Sequence, residues 1–133
     1  MRYVLDASVA VAGLRPSEPH HAAAVRRLTP LLKGLDSIVV PALFRIEVAS
    51  ALARAGFSAA HVDRFVRELV AHATEVTLGP VRARRVQRVA VATRLRAADA
   101  VYVWVAETSA LPLITSDGEI AARASARCRV LAP

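Results

Sequence analysis

Tyr3-Val4-Leu5-Asp6-Ala7-Ser8 is a β-forming apolar run that ends on a carboxylate and passes directly into helix-forming residues. An acid at the carboxyl end of a strand, where the chain turns into a helix, stands where open α/β sheets bind their ligands. Residues 2–6 therefore read as a first strand, and Ala7 to Ala12 as a short helix closed by Gly13. The same alternation continues along the chain. Pro16 to Pro19 is a turn and helix start, and a helical spacing of apolar residues runs from His20 to Lys33, with Pro30 expected to bend or split it and Gly34 to end it. Ser37 to Val40 is a β-branched strand, after which Pro41 suits the first turn of a helix reaching Arg54 and stopped by Gly56.

Ser58 is placed to cap a helix through Val70, with Val62, Phe65, Val66 and Leu69 as its apolar stripe. Thr74 to Leu78 reads as a third strand, Pro80 opens a basic helix to about Thr93, and a separate helix spans Ala97 to Ser109. Leu113 to Thr115 is a fourth strand, Asp117-Gly118 turns into a short helix through Ala124, and Arg129 to Leu131 is a closing strand. Strands alternating with helices imply a mostly parallel sheet covered on both faces. The 133 residues, 55% of them hydrophobic, fit one domain able to bury a core without metal or disulfide staples. Trp104 and Phe65 read as core, and the single cysteine, Cys128, as a buried thiol. No apolar stretch approaches the roughly 20 residues of a membrane span, and Asp6 comes too early for a signal-peptide core, so a cytoplasmic protein is expected.

Three later acids answer Asp6: Glu47, Asp99 and Asp117. Asp6 and Asp117 have a structural alternative as helix caps, and Asp99 as a first-turn acid with Arg96 three residues away. Glu47 is harder to explain, because its helical neighbours Leu43, Phe44, Ser50 and Ala51 offer no cationic partner beside an apolar face. Two strand ends and two helices can bring these acids to one cleft. Clustered ionised carboxylates repel one another, so they persist by binding divalent cations or by raised pKa values. Oxygen donors without His or Cys favour Mg²⁺ or Mn²⁺, and such ions, paired about 3.5–4 Å apart, promote in-line phosphoryl displacement by activating water. Ser8, Thr115 and Ser116 are candidate supporting hydroxyls, and Glu119 a candidate water-mediated ligand or an exposed helix acid. His20 and His21 are adjacent, point apart on a helix, and are set aside as ligands.

The formal charge is +7, and every basic residue but Lys33 is arginine. That balance suits a polyanionic partner, with Arg82, Arg84, Arg85, Arg88 and Arg96 as candidate nucleic-acid contacts; a solvated helix face is the alternative. Aromatic content of 5% argues against base stacking on an aromatic platform.

Val4-Leu5-Asp6-Ala7-Ser8, Arg45-Ile46-Glu47-Val48, Arg96-Ala97-Ala98-Asp99-Ala100-Val101-Tyr102 and Leu113-Ile114-Thr115-Ser116-Asp117 resemble the motifs of PIN-domain ribonucleases. Their order and spacing are similar to those of the VapC toxins of type II toxin–antitoxin modules. The resemblance spans nearly the whole chain and implies one PIN-like nuclease domain over residues 1–133: a three-layer α/β/α sandwich on a roughly five-stranded, mostly parallel sheet. It implies Mg²⁺- or Mn²⁺-dependent endonucleolytic cleavage of RNA to 5′-phosphate and 3′-hydroxyl ends. Asp6, Glu47, Asp99 and Asp117 match the family's acidic metal-binding site and Ser8 its hydroxyl position; Ser116 falls where the family varies, and Arg45 has no assigned role. The resemblance also implies a VapB-like antitoxin partner, for which the helices over residues 20–32 and 42–55 are candidate docking surfaces, and a homodimer.

Two other classes fit parts of the pattern. One is a phosphatase or phosphotransferase with Asp6 as nucleophile, disfavoured because residue 8 is Ser and the only lysine lies in a helix far from the later strand ends. The other is a non-catalytic nucleic-acid-binding regulatory module whose acids serve only as caps.

Overall fold

The computed structural model of the chain describes residues 1–133, and its order of strands follows from burial. Tyr3, Val4 and Leu5 of β1 (Arg2–Leu5) are fully buried, as a strand flanked on both edges and covered on both faces must be. On one side β1 pairs in parallel with β2 (Ser37–Pro41), which pairs in parallel with β3 (Ala73–Val76). On the other side β1 pairs with β4 (Leu113–Ile114), and β4 with β5 (Val130–Leu131), again in parallel. The sheet order is β3-β2-β1-β4-β5.

Helices α1 (Ala7–Leu14) and α2 (His21–Leu32) connect β1 to β2, and α3 (Leu43–Arg54) and α4 (Ala59–Val70) connect β2 to β3. These four pack on one another. The chain then reverses across the sheet to reach β4, so right-handed crossovers put α5 (Pro80–Thr93) and α6 (Ala97–Ser109) on the other face. There α6 lies over β1, β2 and β4, with every residue from Asp99 to Ala106 buried, Trp104 among them. A short α7 (Gly118–Ala124) joins β4 to β5. The result is the expected α/β/α sandwich. The direction of travel changes between β1 and β4, which makes their carboxyl ends the switch point at which such sheets bind ligands.

Several local expectations are corrected. Gly13 lies inside α1 rather than closing it. A Cβ there would stand 2.3 Å from Leu28 Cδ1, so this glycine serves the close approach of α1 to α2. Pro30 neither splits nor ends α2: it sits in the last turn, where its missing N–H costs the helix a single bond, to the carbonyl of the exposed residue Arg26. Gly34, at φ 70°, does end the segment. Pro41 is the last residue of β2 and not the start of α3; the ladder continues past it through Ala42 N–H to the Val76 carbonyl at 2.9 Å. β3 is shorter than expected, and the Cys128 thiol is half-buried, with a pKa raised chiefly by that burial. Ser58 caps α4 as expected, accepting from His61 N–H. No helix is long and apolar enough to cross a membrane.

Candidate active site

Asp6 leaves the sheet where β1 ends, its N–H bonded to the Ile114 carbonyl of β4 at 3.0 Å. Its carboxylate is 94% out of solvent contact by residue, yet it does not cap α1. Instead, Oδ2 accepts from Ser8 Oγ at 2.6 Å and from Thr115 Oγ1 at 2.7 Å. A cap would have turned the carboxylate towards free helix amides; here two hydroxyls aim it into the cleft. Thr115 Oγ1 also accepts from Asp117 N–H at 3.0 Å, tying the fourth acid to the first. Ser116 N–H reaches Ser8 Oγ at 3.4 Å, while Ser116 Oγ itself is buried without a partner.

Glu47 projects from α3 and is not without a partner, as its sequence neighbours suggested. The buried Tyr102 hydroxyl donates to Oε1 at 2.7 Å. Tyr102 stands three residues after Asp99, on the same face of α6 (Ala97–Ser109), so one helix delivers both an acid and the donor that holds another. Sequence reasoning missed this residue, although the i, i+3 spacing from Asp99 was the available signal. Burial, above all, raises the Tyr102 pKa far enough to keep it a phenol, a hydrogen-bond donor. Glu47 forms no ion pair.

Arg96, from the residue preceding α6, donates from Nε to Asp99 Oδ2 at 3.2 Å and places Nη2 3.5 Å from Asp117 Oδ2. Asp117 does cap α7, accepting at Oδ1 from Glu119 N–H at 2.7 Å. For Asp117 the structural role and the cleft position coincide. Glu119 itself points to Arg123 at 3.2 Å and is an exposed helix acid.

The electrostatics link all four acids. The Glu47 pKa is raised by burial first, with the Asp6 and Asp99 charges adding to it and the Tyr102 bond and Arg96 opposing. The Asp99 pKa is raised by burial, reinforced by Asp6 and Asp117 and opposed by Arg96. Three carboxylates keep one oxygen with no protein donor: Asp6 Oδ1, Glu47 Oε2 and Asp99 Oδ1. None of the three is a sealed, orphaned atom, so each is open to water or an ion. That donor set fits a hard divalent cation in chemistry. With Arg96 drawn onto Asp99 and Asp117, no three of the acids close around a single point at ligand distance.

A raised carboxyl pKa has a sign. The folded state holds the Glu47 proton more tightly than the unfolded chain, so its stabilising contribution is present below the ordinary carboxylate range and is lost as pH rises through the raised value. Glu47→Gln removes that loss and can still accept from Tyr102. In EDTA its melting temperature at pH 7 should exceed the wild type's by about 1–3 °C, a gain that disappears near pH 4. Thermal melts at the two pH values test this; a variant less stable at pH 7 than at pH 4, relative to wild type, would contradict it.

The remaining candidates divide by position. Arg82 and Arg85 line a hollow with Trp104, Val105, Thr108 and Ser109, the far half of α6 from Asp99. Thr108 is nine residues from Asp99, about 13 Å along the helix axis. Arg84 and Arg88 are exposed on the same α5, so of the arginine candidates only Arg96 touches the acids. Arg45 pairs with Glu75 of β3 and points away from them. His21 Nδ1 meets the Ala12 carbonyl at 2.7 Å, and His20 lines a small hollow beside Ser116 and Asp117.

The chain as a whole matches a known family model over nearly its full length. The PIN domain model matches residues 3–126. The chain belongs to the PIN domain family. Among solved structures, this PIN domain is similar to PAE2754 from Pyrobaculum aerophilum, at 27% identity and TM-score 0.66 over 98% of this chain and 92% of that one. It is also similar to VapC20 from Mycobacterium tuberculosis, described as a sarcin–ricin loop cleaving toxin, at 16% identity and TM-score 0.71, covering 92% and 94%. A third is VapBC2 from Rickettsia felis, bound to a DNA fragment from its promoter, at 10% identity and TM-score 0.72, covering 99% and 98%. At 16% and 10% identity the last two likenesses show a shared fold. No curated protein matches the chain.

Proposed function

We propose that this PIN domain is a Mg²⁺- or Mn²⁺-dependent endoribonuclease and the toxin of a type II toxin–antitoxin pair. The observation that carries the chemistry is Asp6: buried at the switch point, held by two hydroxyls, and free at Oδ1. Asp6, Glu47, Asp99 and Asp117 would hold the cation. Bound there, it would supply the Lewis acidity that activates water and offsets charge on the leaving oxygen.

The chain's own residues do the positioning. Ser8 and Thr115 fix the Asp6 carboxylate, and Tyr102 fixes Glu47, so side-chain entropy is lost on folding and not when substrate binds. Burial of Asp6 and Asp99 lowers the local dielectric, which strengthens each charge–charge interaction at the cleft. Asp6 and Glu47 carry no ion-paired cation, and burial of Glu47, with the Asp6 and Asp99 charges beside it, makes its ionised form costly until a cation binds. The chain's net charge of +7, its cleft acids included, draws RNA towards the protein.

The toxin role is supported by the fold shared with VapC20 and VapBC2. An antitoxin helix has a fitting groove between α3 and α4, lined by Ile46, Ala49, Val66 and Val70, with Ile46 67% exposed. Homodimer formation is part of the same reading. Purified protein should cleave structured RNA in Mg²⁺ or Mn²⁺ and stop in EDTA, and Asp99→Asn should be inactive. Cleavage that survives EDTA would refute the metal mechanism, and failure of a neighbouring reading frame to relieve toxicity on co-expression would refute the pairing.

A further inference from the structure

Arg96 is the one cation ion-paired with the four acids, bridging Asp99 at 3.2 Å and Asp117 at 3.5 Å. Its side chain is nonetheless 76% exposed, and those carboxylates are its only hydrogen-bond and ion-pair partners. A purely structural guanidinium is expected to be packed or bonded to backbone, as Arg82 is to the Thr77 carbonyl. Arg96 has neither restraint, and it neutralises two carboxylates while the other two, Asp6 and Glu47, have no cation.

We propose that Arg96 is an exchangeable counter-cation, holding Asp99 and Asp117 until a divalent ion takes them and then turning its freed guanidinium to the RNA phosphate at the cleft. The inference rests on the metal-nuclease reading above and adds a role to a residue of this chain. The exchange is favourable on simple grounds. A compact doubly charged ion gains more from several carboxylates than a single delocalised charge does, and three free oxygens are already available to it on Asp6, Glu47 and Asp99. With Arg96 held between Asp99 and Asp117, no three acids close around one point, so metal binding requires those two carboxylates to be released. Once released, the planar fork matches two non-bridging phosphate oxygens, and its exposure lets it swing without disturbing the core.

The exchange predicts opposite effects on two ligands. Mn²⁺ alone, titrated by calorimetry, should bind Arg96→Ala and Arg96→Gln about threefold more tightly than wild type, because a competitor is gone. A fluorescein-labelled mixed-sequence RNA oligonucleotide, read by anisotropy in Mn²⁺ at 4 °C, should bind both variants roughly fivefold more weakly, with a salt slope shallower by about 0.7. Arg96→Lys should recover most of the RNA affinity and keep Mn²⁺ binding near wild type. If Mn²⁺ binds the Ala and Gln variants no better than wild type, Arg96 is a brace and the exchange is overturned. Unchanged RNA affinity overturns the phosphate contact. A wild type that binds no Mn²⁺ overturns the metal site itself, which distinguishes that failure from failure of the exchange alone.

Discussion

Asp6→Asn should reduce RNA cleavage by about a thousandfold, some 4 kcal/mol of lost transition-state stabilisation, while leaving the fold intact. Both halves follow from the geometry. Ser8 and Thr115 donate to the same oxygen, so an Asn can place its carbonyl there and keep both bonds at 2.6 and 2.7 Å. What it loses is the charge and the free Oδ1, which becomes an amide nitrogen that repels a cation. Because the charge that has left is one that helps raise the Glu47 and Asp99 pKa values, the metal-free variant should melt within about 2 °C of wild type or slightly above it. Single-turnover cleavage beside a thermal melt checks the pair. Activity within tenfold of wild type would mean that Asp6 is not a ligand.

Phe44→Ala should have the largest effect on stability. Phe44 is fully buried in the first turn of α3, three residues before Glu47. Truncating a buried Phe costs about 4 kcal/mol in transfer and cavity terms, a large share of the 5–15 kcal/mol that holds a typical domain together. The midpoint should fall by about 10–20 °C. Ile46→Ala, two residues along the same helix and 67% exposed, should stay within about 0.5 kcal/mol of wild type. Equal losses in the two variants would show that α3 does not anchor through Phe44, and would remove the basis for its delivery of Glu47 to the cleft.

How much of this was legible in the sequence depended on how local each cause is. The β1 run and its terminal Asp6 carry their own signal, a continuous apolar strand broken by an acid, and α6 was read at its observed bounds, Ala97 to Ser109. Ser58 announced its cap by residue type alone. Gly13 and Pro41 misled for the same reason as each other. Their helix-ending and helix-starting tendencies are local, whereas the demand that decides each is tertiary: Leu28 packs against Gly13, and the Val76 carbonyl takes the next N–H after Pro41.

The site divides similarly. The four acids were visible as a pattern, but their partners were not, since the Thr115 bond to Asp6 spans 109 residues and the Tyr102 bond to Glu47 spans 55. Glu47 looked unpaired because only its own helix could be searched from sequence. The density of arginine was legible because it is local, but which arginine stands at the acids was not: Arg82 and Arg85 lie by the far half of α6, and Arg96, outside α5, reaches Asp99 and Asp117.

On the proposed mechanism, this PIN domain cuts RNA with water activated by a cation held on its carboxylates. The most direct measurement is the mapping of new RNA ends in total cellular RNA after brief induction, beside the Asp6→Asn variant. Discrete sites bearing 5′-phosphate and 3′-hydroxyl ends are expected with the wild type and absent from the variant. Ends bearing 2′,3′-cyclic phosphate, or the same sites in both proteins, would contradict it.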